Sequence, residues 1–223
     1  MKRNSAIKIN LGCGAITPVD WLNIDASITA RLEKHDLLTK ILKSLGLIDK
    51  NKKRWSKNVF FHDLRQPLPF KDNSSEIIYF SHVLEHLYLD EAQKLLNECL
   101  RVLKTKGIIR IVVPDLEVLV QQYLLEKKKK EILAADHLNE SLILRAKTKS
   151  TGNWFYRQYN KSTDFHSHKW MYDAESLAFY LKKAGFSKIK SKLFGKSLIK
   201  DIKILERPGR ERKPSVYLEA VKM

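Results

Sequence analysis

With only two cysteines in 223 residues, Cys13 and Cys99, the chain has no disulfide scaffold, and this scarcity fits a reducing compartment. Long apolar runs are missing as well: none approaches the ~20 residues a membrane-crossing helix needs. The opening stretch MKRNSAIKINLGCG has a short, interrupted apolar segment and makes a poor secretory signal. Acid is scarce too, with 25 Asp and Glu against 42 Lys and Arg, a formal charge of +17. A cytoplasmic protein with one domain over 1–223 is the expectation, since this length supports one full core and is short for two.

The hydrophobic fraction of 43% is ordinary for a globular chain. Lysine supplies most of the positive charge and is scattered through nearly every segment; the tightest run is Lys127 to Lys130, which suits a helix C-terminus. Solvated lysines account for such a pattern without any partner. The alternative is an anionic one: RNA or another nucleic acid, an anionic membrane surface, or a sugar-phosphate.

Apolar strands alternate with helical stripes. Ala6–Leu11, Trp21–Asp25, Asn58–His62, Glu76–Ser81 and Ile108–Val113 read as strands, and 28–47, 90–104 and 115–130 read as helices. Asp173 is placed to cap a helix ending at Gly185, and Lys188–Phe194 and Ser215–Val221 read as final strands joined by a basic hairpin. This order predicts an α/β fold with a mostly parallel sheet, helices on both faces and ligands beyond the strands' carboxyl ends.

Those ends carry Gly12-Cys13-Gly14, Asp25, Asp63, Ser81-His82 and Pro114-Asp115. Glycines let the first turn approach a ligand closely, Asp25 is placed to accept from two ribose hydroxyls, and Asp63 from an adenine amino group. Ordinary helix or turn capping is the other use of each acid. Two histidine groups stand out. His82-x-x-Glu85-His86 has the spacing of a zinc-protease motif, but it follows a strand directly, where positions four apart do not share a face. Asp164-x-His166-x-His168 lacks neighbouring cysteines or acids to complete a metal set, so no metal is expected.

Taken together, Ile9-Asn10-Leu11-Gly12-Cys13-Gly14, Asp25, Asp63-Leu64, IIYFSHVLEHL and CLRVLKTKGIIRIVVPD resemble the class I S-adenosylmethionine-dependent methyltransferases over about residues 6–120. WLNID, DLRQPLPF and HKWMYD are similar to a bacterial subgroup of methyltransferase type 11-like proteins. The resemblance implies a Rossmann-like seven-stranded sheet with an antiparallel C-terminal edge, and S-adenosyl-L-methionine as cofactor. It implies cofactor contacts at Gly12, Cys13, Gly14, Asp25, Asp63, Leu64, Ser81 and His82. Glu85, His86, His166 and His168 are then the candidates for acceptor contact or proton removal, with the aromatic 148–172 region as a lid.

The chain departs from the family between Gly12 and Asp25, where the short, Pro18-containing segment leaves room for a turn rather than a helix. A third glycine is absent, which counts against a pyrophosphate cofactor more than against a phosphate-free methyl donor. No Asn/Asp-Pro-Pro-Tyr/Phe motif and no Pro-Cys motif occurs, so adenine-amino and cytosine-C5 acceptors are disfavoured. The expected acceptor is an oxygen or nitrogen of a small molecule or saccharide precursor. RNA methylation and a non-catalytic binding module on the same fold are the alternatives.

Overall fold

The computed structural model describes residues 7–27, 58–143, 167–207 and 214–223, with isolated positions 44 and 56. Seven strands are present: β1 (Lys8–Leu11), β2 (Leu22–Asp25), β3 (Val59–Phe61), β4 (Ser75–Ser81), β5 (Leu103–Pro114), β6 (Ser187–Ser191) and β7 (Ser215–Val221). They form one sheet in the order β3-β2-β1-β4-β5-β7-β6. The first five are parallel, and β7 runs antiparallel between β5 and β6. This is the Rossmann-like arrangement with an antiparallel edge that the family resemblance implies. No helix of the described residues is long and apolar enough to cross a membrane.

Strand residues Ile9, Leu11, Ile78, Phe80, Ile109 and Ile111 are fully buried, as parallel strands covered on both faces must be. Helix α1 (Leu89–Val102) presents Ala92, Leu95, Leu96, Cys99 and Val102 to one face, a stripe with helical period. Helix α2 (Leu116–Lys128) follows β5 and is capped by Asp115, whose side chain accepts from the Val118 amide. A further helix, α3 (Ala134–Leu142), was not anticipated from the sequence. Helix α4 (Ala174–Ala184) starts at Asp173, which accepts from the Ser176 amide at 2.8 Å, and stops at Gly185 with φ of 103°. Leu177 and Leu181 add α4 to the α1 face of the core.

Three sequence expectations need adjusting. β5 starts at Leu103 rather than Ile108, because Lys106 and Gly107 pair beyond the end of β7: the Lys106 amide donates to the Lys222 carbonyl and the Lys222 amide to the Gly107 carbonyl. The strand expected over 188–194 ends at Ser191. The joining segment is not a simple hairpin, since a 3₁₀ turn at Ile202–Ile204 tucks Ile199, Ile202 and Leu205 against Trp21, Tyr79 and Val112 on the second face of the sheet. The helix expected over 28–47 lies outside the described residues, as do the basic tip at 208–213 and most of the expected lid.

Candidate active site

Between β1 and β2 the chain makes turns and no helix, and two asparagines hold it. Asn10 and Asn23 lie side by side in the β1–β2 register and are both buried. The Asn10 amide donates to the Ile16 carbonyl at 2.9 Å and to Asn23 at 3.1 Å; Asn23 donates to the Pro18 and Trp21 carbonyls. Buried carboxamides thus satisfy loop carbonyls that a helix would otherwise pair internally. Sequence reading missed both residues, although paired asparagines inside apolar strands were the available signal.

The loop they hold begins with Gly12 at φ 59° and includes Gly14 at φ 51°. A Cβ on Gly12 would stand 2.4 Å from Val83 Cγ2, so the loop passes where only glycine fits. Asp25 ties the loop to the end of β2: one carboxylate oxygen accepts from the Gly14 amide at 2.9 Å, the other from the Ser27 amide at 2.8 Å. Each oxygen keeps a second lone pair for a ligand hydroxyl. Cys13 is buried beside them; burial first, then the Asp25 charge, pushes its thiol up to about 12, and its own amide's bond only partly offsets this. It is a neutral wall of the loop, without nucleophilic character at neutral pH.

Asp63, beyond β3, is held by Arg65, whose Nε donates to both carboxylate oxygens at 3.0 Å and whose Nη2 donates at 2.6 Å. Burial raises this carboxyl, but the Arg65 bonds outweigh it and leave the group below its ordinary value. A ligand amino group would therefore share Asp63 with Arg65. The neighbouring Leu64 packs in the core.

A cleft of about 160 Å³ opens beside this loop, between Gly12–Ile16, Ser81, His82 and the C-terminal residues Phe194, Leu205 and Tyr217. Its far wall depends on Arg110, whose fully buried guanidinium clamps Glu206 at 2.6 and 2.7 Å and reaches Glu219 at 3.0 Å. The same guanidinium donates to the Lys196 and Leu193 carbonyls, and Glu206 accepts from the Gly195 amide, which fixes the segment after β6 under the sheet. None of these wall residues stood out in the sequence, because each looks like a surface charge or an edge-strand apolar residue.

On the other side of Ser81, His82 adopts φ 56° and its amide donates to the Val112 carbonyl. A 3₁₀ turn at Leu84–His86 follows, so His82 and His86 do not lie on an α-helix. The segment Ser167–Tyr172 docks on this turn: the Lys169 and Trp170 amides donate to the Glu85 carbonyl, and the Lys169 ammonium donates to the His86 carbonyl at 3.0 Å. His168 thereby meets His86 edge to face, with ring centroids 4.9 Å apart. Glu85 is fully buried and its Oε1 pairs with His82 Nδ1 at 2.9 Å. Burial is the main reason the His86 and His168 rings titrate below the ordinary imidazole value, with the Glu85 charge opposing it in both. Both rings are neutral near pH 7. His166, the fourth acceptor-side residue expected, lies outside the described residues.

The strand-end residues suit a phosphate-free donor. The loop offers a glycine-only approach and a carboxylate tied to its backbone, with no helix N-terminus behind it to cradle a pyrophosphate. Comparison with known proteins agrees. Residues 9–111 match the sequence model of the family described as "Methyltransferase domain". The fold is similar to that of a solved S-adenosylmethionine-dependent methyltransferase from Methanosarcina mazei, with 16% identity, 99% of this chain and 94% of the other covered, and a TM-score of 0.51. It is also similar to one from Archaeoglobus fulgidus, with 17% identity, coverage of 98% and 87%, and a TM-score of 0.50. A search of the curated proteins returned no match. The matched stretch 9–111, the sheet order and a strand-end loop suited to a phosphate-free donor make this chain similar to the class I S-adenosylmethionine-dependent methyltransferases.

Proposed function

We propose that the protein transfers a methyl group to an oxygen or nitrogen of a small molecule or saccharide precursor, with the acceptor entering over Glu85, His86 and His168. The observation that carries this reading is the position of His82, which lines the cleft on one side and pairs with Glu85 on the other. The cluster therefore adjoins the cofactor end of the strands. When bound, the sulfonium supplies an electrophilic methyl group, so the protein's tasks are alignment and proton management. Gly12 and Gly14 give the cofactor a close backbone approach, and Asp25 and Asp63 accept from its ribose and base. Ser81 and His82 line its methionine end. Neutral His86 or His168 takes the acceptor proton, and Glu85 offsets the imidazolium charge that forms.

The charge of +17 favours a second reading, an RNA acceptor, for which binding would weaken steeply as salt rises. Calorimetric titration with S-adenosylhomocysteine tests the cofactor half of the proposal. Micromolar binding is expected, weakened about 10- to 100-fold by Asp25→Ala, which removes the carboxylate and the tether of Gly14. A folded wild type that ignores the ligand would end the reading. An acceptor screen with the labelled methyl donor then separates small hydroxyl and amino compounds from RNA.

A further inference from the structure

Glu85, His86 and His168 each direct one ligating atom into a common space, and these atoms lie within 4.8 Å of one another. Two buried polar atoms of these residues have no hydrogen-bond partner. Glu85 is fully buried, yet its Oε2 has no hydrogen-bond partner, and the Nδ1 of buried His168 has none either. A buried carboxylate oxygen without a donor is costly, and proteins retain such a group where a ligand completes it.

The remaining atoms of the cluster are held as they would be around an ion. His82 Nδ1 takes Glu85 Oε1, which aims the carboxylate and leaves Oε2 forward. His86 Nδ1 lies 3.3 Å from the Ser167 carbonyl; with its proton donated there, Nε2 keeps its lone pair outward. A histidine oriented by a backbone carbonyl through its far nitrogen is the usual support of a metal ligand. The Lys169 ammonium donates to the His86 carbonyl and lies 5.5 Å from the centre of the Tyr88 ring.

We propose that Glu85, His86 and His168 form a site for a divalent first-row transition metal of the zinc class. Two imidazoles and one carboxylate favour zinc, cobalt or ferrous iron over magnesium or calcium, which prefer all-oxygen shells. Three protein donors leave a coordination position open, as in catalytic rather than structural zinc sites. The donors come from two motifs that the Ser167–Tyr172 segment brings together, so neither motif alone displays the set. The site deepens the methyl-transfer reading without needing it: an acceptor hydroxyl in the open position would lose its proton to water more readily, in place of donating it to His86 or His168.

The test uses the full chain, stripped with a chelator and dialysed. Titration with zinc chloride should give one equivalent bound with sub-micromolar affinity and a raised melting temperature, and magnesium chloride should do neither. His168→Ala should weaken zinc binding by about 100-fold or more, since even the loss of a supporting residue around a metal costs about 10- to 100-fold. His137→Ala, which removes a histidine from the exposed Glu126–Glu131–His137 group, should leave the affinity unchanged. Should His168→Ala fail to fold, His168→Cys decides: with cobalt it should develop a thiolate-to-metal absorption band that the wild type lacks. No stoichiometric zinc binding by the wild type overturns the site. So does binding that survives in folded His168→Ala or disappears in His137→Ala, or a cobalt complex of His168→Cys without the band. S-adenosylhomocysteine titration of the same preparations reports the cofactor site separately, so either reading can fail alone.

Discussion

Two buried polar clusters lie on either side of the strand ends, and they differ in how completely they are satisfied. Around Arg110, Glu206 and Glu219, the guanidinium has two carboxylates and two backbone carbonyls as partners, while the carboxylates also accept from Gly195, Ser197 and Leu198. Around Glu85, His86 and His168, two buried atoms have no partner. The first cluster is complete without a ligand and serves the architecture, pinning the segment that walls the cleft. The second is incomplete in the protein alone. The open cluster, next to the first loop, is where the proposed chemistry is placed.

The largest effect should come from breaking the closed cluster. Arg110→Ala leaves Glu206 buried without its counter-ion and Glu219 with only Lys192 at 4.0 Å, and urea unfolding should register a loss of about 3–5 kcal/mol. Gly12→Ala comes next. It forces a left-handed φ on alanine and drives Cβ into Val83, for a cost of about 2–3 kcal/mol together with loss of S-adenosylhomocysteine binding. Glu85→Met should behave in the opposite way to Arg110→Ala. It replaces a half-satisfied buried carboxylate by an apolar chain of similar size, so unfolding should stay within about 1 kcal/mol of the wild type, or above it, while methyl transfer collapses. A loss of stability as large as that of Arg110→Ala would erase the contrast between the clusters. The smallest effect tests the cofactor loop: with its pKa near 12, Cys13 should resist iodoacetamide at pH 8 in the native protein and react once urea exposes it, as mass spectrometry would show.

Much of the fold was legible because it follows from short-range rules. The period of apolar residues located β1 to β5, α1, α2 and α4, and β7 was read to the residue. Short spacing and Pro18 foretold the missing helix after β1, because a helix cannot form in so few residues between two strands. Helix α3 was overlooked because it is only 9 residues long and comes directly after the lysine run. The motif residue Arg101 turned out to be structural. It donates to the Leu68 and Phe70 carbonyls and pairs with Glu98 and Asp72, which pins the DLRQPLPF loop to α1.

By itself the sequence determined the α/β class, the glycines of the first loop and the acids at the ends of the next two strands. Backbone sterics and side-chain periodicity act over a few residues and can be read along the chain. Only the tertiary structure decided which distant groups meet. It set Arg110 against Glu206 and Glu219 across the antiparallel edge, and it set His168 against Glu85 and His86 by docking one segment on a 3₁₀ turn. Such pairings depend on where strands and loops cross in space, and no periodicity in a single chain records them.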